Sequence, residues 1–282
     1  MQIIFVPVAD RPECAVALRT AFEVGARLNA SVNGCHIRPH RGSDVSLPEE
    51  FGSLDAAWES ALASKKTKSS GTAAEALFAK VAKRNDYTLV KKPTTKPGAV
   101  WLEKVGSPDR VLSIMGPVSD LLIVSRPAKK GGKLATMFMV SALLNSSRPV
   151  LILPQGNEKP VGRRISIAWN QSHEAAKAVA AALPLLQVAE EVNIITSGNE
   201  TALGPKAAQL ATYLRAWGVK SKRVRASGPD HAKAILKSFH DTRSDLLVMG
   251  AYSRSRLRQR IFGGVTDFIL NRSNIPVLML HS

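Results

Sequence analysis

The stretch with the most chemical promise reads Gly250-Ala251-Tyr252-Ser253-Arg254-Ser255-Arg256-Leu257-Arg258-Gln259-Arg260-Ile261-Phe262-Gly263-Gly264-Val265-Thr266. It follows an apolar run at 246–249 and leads into a segment whose Val265, Phe268 and Ile269 share one helical face. Glycines at both ends let a backbone approach an anion closely. A helix beginning at Gly263 and Gly264 aims its unpaired N–H groups at that anion. Arg254, Arg256, Arg258 and Arg260 add positive potential, and Ser253 and Thr266 add hydroxyls. The residues fit a phosphate cradle. They also fit a strand–loop–helix connection whose arginines are simply solvated.

Other chemistries find less support. No Gly-x4-Gly-Lys-Ser/Thr, Gly-x-Gly-x-x-Gly or Gly-x-Ser-x-Gly string is present. Two cysteines, Cys14 and Cys35, exclude a disulfide scaffold and a four-cysteine zinc site, and read as core thiols. His36 and His40 are four apart, but Pro39 intervenes, so they read as a surface pair and not as metal ligands. No enzyme is expected.

These residues need elements to hold them. The 282 residues are 45% hydrophobic, enough for a sizeable core, and they contain an internal repeat. Ser119-Asp120-Leu121-Leu122-Ile123-Val124 matches Ser244-Asp245-Leu246-Leu247-Val248-Met249, and Pro149-Val150-Leu151-Ile152-Leu153 matches Pro276-Val277-Leu278-Met279-Leu280. The polar segment 154–160, with a proline at each end, is the natural linker. The expected domains are therefore 1–154 and 155–282.

In the first, strands are expected near 3–8, 31–37, 99–104, 120–125 and 149–153, and helices near 12–28, 70–84, 108–117 and 134–146. Residues 39–69 read as polar and irregular. In the second, strands are expected near 165–169, 192–195, 224, 246–249 and 275–280. Helices are expected over 172–188, 202–217 and 230–241 and from about 264. Strands alternating with helices imply an α/β fold, with a mainly parallel sheet between helices in each half.

The chain has 39 basic and 22 acidic residues, a net charge of +17 divided almost evenly between the halves. Such a field favours anionic partners, although solubility alone accounts for it. Clusters at Lys65-Lys66-Lys68, Arg163-Arg164 and Lys220-Lys222-Arg223-Arg225 lack a recognition motif, so no specific nucleic-acid partner is expected. There is no apolar run of about 18 residues for a membrane span, and the N-terminus reads as a strand, not a signal peptide. A cytoplasmic location is expected.

Residues 245–280 resemble the C-terminal signature of the universal stress protein family. Nucleotide-binding members carry Gly, two residues, Gly, nine residues, then Gly-Ser/Thr. Here Gly250, Ser253 and Gly263-Gly264 keep that spacing, followed by Val265-Thr266 and a final strand at 276–280. As two copies, the resemblance covers essentially the whole chain. It implies tandem Rossmann-like domains of the adenine nucleotide alpha hydrolase type, each with five strands in the order 3-2-1-4-5. It also implies self-association through the final strands of each half.

It further implies an ATP-binding sensor or switch, with Mg2+ as counter-ion. Gly250, Ser253, Gly263, Gly264, Val265 and Thr266 would cradle phosphates, Arg254 would supplement charge, and Asn170 would lie near the nucleoside. Nucleotide would order 250–264 and alter the surface shown to a protein partner. Two positions depart from the pattern: Ser253 stands for a glycine and Gly264 for Ser/Thr. Asn170 also replaces the acid usual after the first strand, a place that Asp10 holds in the first half. The first half lacks the pattern, and its loop carries Pro127, Lys129, Lys130 and Lys133. The alternative is an interaction scaffold that binds no nucleotide.

Overall fold

The computed structural model describes residues 1–9, 11–38, 67–127, 133–200, 203–251 and 264–281. They form two compact units, residues 1–158 and 159–282, divided inside the polar segment 154–160.

In the first unit the elements run β1 (Ile3–Pro7), α1 (Pro12–Leu28), β2 (Ser31–Arg38), α2 (Thr67–Arg84), β3 (Ala99–Val105), α3 (Pro108–Met115), β4 (Leu121–Ser125), α4 (Lys133–Asn145) and β5 (Val150–Leu153). In the second they run β6 (Arg164–Ala168), α5 (His173–Gln187), β7 (Glu191–Ser197), α6 (Ala207–Ala216), β8 (Ser221–Ala226), α7 (His231–Asp241), β9 (Leu246–Gly250), α8 (Val265–Arg272) and β10 (Val277–Leu280).

Both units have the same parallel sheet: β3-β2-β1-β4-β5 in the first and β8-β7-β6-β9-β10 in the second. Ile4 lies between Val32 and Leu121, and Ile165 lies between Val192 and Leu246. The central strands are buried on both faces, as their continuous apolar runs require. Right-handed crossovers in this order put the helices on both faces.

The repeated Ser-Asp has a structural explanation. In the first unit the Asp120 carboxylate accepts the N–H groups of Gln2 and Ile3 at 2.6 and 2.9 Å. In the second, Asp245 accepts those of Gly162, Arg163 and Arg164 at 2.7, 3.1 and 3.1 Å. Each aspartate, one residue ahead of its own strand, thereby fastens the start of the neighbouring first strand.

Three local expectations are corrected. His36 is not on the surface: it is buried in β2, with Nδ1 3.0 Å from the Val8 carbonyl oxygen. Its partner His40 lies outside the described residues. The helix expected from 202 begins at Ala207, because Gly204-Pro205 leads the chain across the loop after β6. The weak strand at Val224 is a six-residue outer strand of its sheet, Ser221–Ala226, with Lys222, Arg223 and Arg225 exposed. Charge on an outer strand discourages further pairing. Lys222 pairs with Glu191 at 3.4 Å, and Arg225 donates to Asn199 Oδ1 at 2.8 Å. Of the segment expected to be irregular at 39–69, residues 67–69 belong to α2 and the rest lies outside the described residues.

Candidate functional site

In an open α/β sheet the chain crosses to the two faces at the carboxyl ends of the central strands, and a crevice opens there. In the second unit that place lies beyond β6 and β9. Gly250 ends β9, and the first turn of α5 rests directly on it. A Cβ at Gly250 would stand 2.7 Å from the Ala175 nitrogen and 2.7 Å from the Glu174 carbonyl carbon. No side chain fits there without moving backbone. This glycine, read from sequence as part of an anion cradle, serves first to let a helix start close against a strand end. It also brings Glu174 to the site, a carboxylate that sequence spacing does not single out.

The loop after β6 is tightly organised. Asn170 is exposed, and its Oδ1 accepts the Ser172 N–H at 3.2 Å. Ser172 caps α5, its Oγ accepting the Ala175 N–H at 3.1 Å. Asn170 Nδ2 thus keeps donors for a ligand, which the acid usual at that place would lack. Gln171 was not foreseen. It is buried, has a left-handed φ of +64°, and donates through Nε2 to the Gly204 carbonyl at 2.8 Å. Trp169 Nε1 donates to the Pro205 carbonyl at 2.8 Å. Segment 203–206 is strapped to this loop, and the Gly-Pro pair is the sequence signal that could have revealed it.

The helix start after β9 is different. α8 has Gly264 as its N-cap, with φ +92° and ψ −161°, and no side chain caps it. That backbone conformation is essentially reserved for glycine. A Cβ at Gly264 would meet nothing within 4 Å, so geometry and not crowding selects the residue. The departure from Gly-Ser/Thr is therefore an adaptation of the turn. Val265 and Thr266 present first-turn N–H groups, where the helix dipole supplies about half a positive charge. Asp267, also in the first turn, takes up part of that field and accepts a hydrogen bond from Asn271 Nδ2.

The structure thus brings together Asn170, Gly250 and the first turn of α5, and it builds Gly264, Val265 and Thr266 into an open helix start. Ser253, Arg254 and Gly263 lie outside the described residues, as do Asp10, Lys129 and Lys130.

The first unit differs at the same place. Ser125 stands where the second unit has Gly250, and its Oγ donates to the Glu13 carbonyl in α1 at 2.8 Å. A cavity of about 40 Å³ remains, lined among others by Val8, Cys14, Ser125 and Phe138. Among the described residues it has room for a few waters. Cys14 Sγ accepts the Ala9 N–H at 3.3 Å, and burial pushes the Cys35 thiol up to about 12, so Cys35 is inert. Arg126 follows Ser125, and burial lowers its guanidinium to about 10, still charged at neutral pH.

Among the described residues there is no group of three or more His, Cys, Asp or Glu side chains placed to hold a metal ion. None of the described helices is long and apolar enough to cross a membrane.

Comparison with known proteins agrees with this fold. Residues 163–281 match the model of the Universal stress protein family. A universal stress protein of Methanocaldococcus jannaschii is 32% identical over 63 residues, covering 22% of this chain and 38% of that protein. The matched stretch therefore spans less than half of that relative. The crystal structure of a universal stress protein from Archaeoglobus fulgidus superposes with a TM-score of 0.69 at 17% identity, covering 99% of this chain and 98% of that one. A functionally unknown protein from Pseudomonas aeruginosa superposes with a TM-score of 0.57 at 15% identity, covering 100% and 92%. At these identities the two structures share the fold.

Proposed function

Starting from the universal stress protein domain at residues 163–281, we propose that this chain is a cytoplasmic adenine-nucleotide sensor whose site lies in the second unit, beyond β6 and β9. The reading rests chiefly on the open start of α8. Of the two helix starts that follow β6 and β9, α5 is capped by Ser172, and α8 has only Gly264. An anion is the partner that such a start lacks.

In this reading ATP places its phosphates on the N–H groups of Val265 and Thr266. Gly250, Ser253 and Gly263 complete the cradle, Arg254 adds charge, and Mg2+ accompanies the phosphates. Asn170 meets the nucleoside through Nδ2. Occupancy sets the surface that 250–264 offers to a protein partner. The chain's role is binding and signalling, with no catalytic turnover.

Calorimetric titration of the full chain with ATP tests the proposal. Micromolar binding is expected. Gly264→Ala should weaken it roughly 5- to 30-fold, the equivalent of about 1–2 kcal/mol of left-handed strain. Since open space surrounds that Cβ, the fold should survive. No heat at millimolar ATP would overturn the reading in favour of a scaffold that binds no nucleotide.

A further inference from the structure

The outer strands of the two units differ. β3 and β8 hold the same place, outermost beside β2 and β7. In the first unit residues 85–98 connect α2 to β3, and part of that connection lies along the strand. The Val90 N–H donates to the Ala99 carbonyl at 2.9 Å, and the Ala99 N–H donates to the Thr88 carbonyl at 2.9 Å. In the second unit only residues 217–220 connect α6 to β8, too short a stretch to run back along it. Among the described residues no backbone segment pairs with the outer side of β8. Such an edge presents a row of N–H and C=O groups to which an extended chain can add.

Charge decides which chain. β3 carries one exposed acid and one exposed base, Glu103 and Lys104, and Glu103 pairs with Arg38 at 3.6 Å. β8 carries Lys222, Arg223 and Arg225, all exposed, and no acid. A second copy of β8 would set like charges against one another, which disfavours self-pairing. An acidic strand meets the opposite situation.

The pleat sorts these side chains. Ser197 lies opposite Ala226, and its Oγ is 2.8 Å from Nδ1 of His231 in α7. Successive side chains alternate between faces, so Lys222 and Val224 share the α7 face and Arg223 and Arg225 the α6 face. Lys222 is already paired with Glu191, and Val224 is half-buried. Arg225 donates to the neutral amide of Asn199, and Arg223 makes no hydrogen bond or ion pair among the described residues. Neither guanidinium has a carboxylate partner there. β8 itself has no aromatic ring on which a base could stack, which favours a peptide over a nucleic acid.

We infer that β8 is a docking edge for an extended acidic peptide. Acids at alternate positions of the peptide face Arg223 and Arg225, and the apolar residue between them covers Val224. Main-chain hydrogen bonds supply affinity, and the two guanidiniums supply selection.

The test is titration of the full chain, without nucleotide, with a fluorescein-labelled peptide of alternating glutamate and valine, read by fluorescence anisotropy. Saturable binding is expected with Kd on the order of 10–100 micromolar, weakening as salt is raised. Two further peptides carry N-methyl groups on the glutamate amides or on the valine amides. Their charges are the same, but only one set of amides can face β8, so one peptide should bind at least tenfold more weakly than the other. The double variant Arg223→Glu, Arg225→Glu should weaken the acidic peptide about tenfold and take up an alternating lysine–valine peptide instead. Should it not fold, Arg223→Glu alone should weaken the acidic peptide several-fold. Absence of saturation at millimolar peptide overturns the inference. Equal affinity of the two N-methylated peptides does so too, as does undiminished affinity in a folded charge-reversal variant. Tighter binding of single-stranded oligothymidylate than of the acidic peptide would make the edge a polyanion surface and likewise overturn it. Since no nucleotide is present, none of these outcomes bears on ATP binding.

Discussion

Ser125 and Gly250 end equivalent strands, β4 and β9, and they meet equivalent helices in different ways. In the first unit a hydroxyl bridges to the Glu13 carbonyl, and the helix start stands off by the length of a side chain. In the second, the helix start at Glu174 and Ala175 rests on the bare glycine. Among the described residues, one copy has only a small cavity beside that strand end, whereas the other has an uncapped helix start after it. One topology thus meets its helices in two ways: one unit bridges strand end to helix through a hydroxyl, and the other packs the helix on a bare glycine.

The sharpest way to break this contrast is to exchange the two residues. Gly250→Ser should cost about 3 kcal/mol, because its Cβ meets backbone and cannot be accommodated by rotating a side chain. Ser125→Gly should cost only about 1 kcal/mol, the value of one hydrogen bond, and leave ATP binding intact. Urea denaturation of both variants measures the difference. Equal losses would remove the distinction between the two strand ends.

The paired aspartates come next. Asp245→Ala removes the acceptor of three backbone N–H groups and should cost about 2–4 kcal/mol. Asp120→Ala removes that of two and should cost less. Thermal unfolding of the two variants ranks them, and a reversed order would contradict the account of the repeat.

Asp267 lies in the first turn of α8, where it would oppose the phosphates of the proposed nucleotide. Asp267→Asn should tighten ATP binding about two- to fivefold, in line with the roughly 0.3–1 kcal/mol of a charge at a helix end, and the gain should shrink in high salt. Unchanged or weaker binding would place the phosphates elsewhere.

The smallest effect concerns α3 and α7, which also occupy equivalent positions. Asp230 caps α7 by accepting the Lys233 and Ala232 N–H groups, and these, Lys233 first, hold its carboxyl below the usual range. A depressed carboxylate stabilises the fold above its unfolded value of about 3.9, and that contribution is lost as pH falls through the folded value. The denaturation midpoints of wild type and Asp230→Ala should therefore differ by a constant amount above about pH 5 and converge at lower pH. The buried Ser107 at the start of α3 makes no such side-chain cap, so Ser107→Ala should show no pH-dependent difference.

Much of this architecture was legible in the sequence, and for local reasons. The apolar runs at 121–125 and 246–250 and the helical spacing of Ala175, Val179 and Ala182 report which face of each segment is buried. Neighbours a few residues apart carry that information. The repeat and the polar segment 154–160 mark two units in the sequence. Of the candidate site, the helix start at Gly264 and the strand end at Gly250 were both visible as glycines in a spaced string.

What tertiary structure decided was the use of each group. Gly250 appeared to be part of a cradle, and its exclusion of side chains comes from α5, some 75 residues earlier in the chain. His36 appeared solvent-facing because Pro39 follows it, yet parallel pairing buries β2 on both faces. Which face of an element is buried depends on residues within a turn or two. What finally touches that face, and how much space is left, depends on residues the chain brings in from a distance.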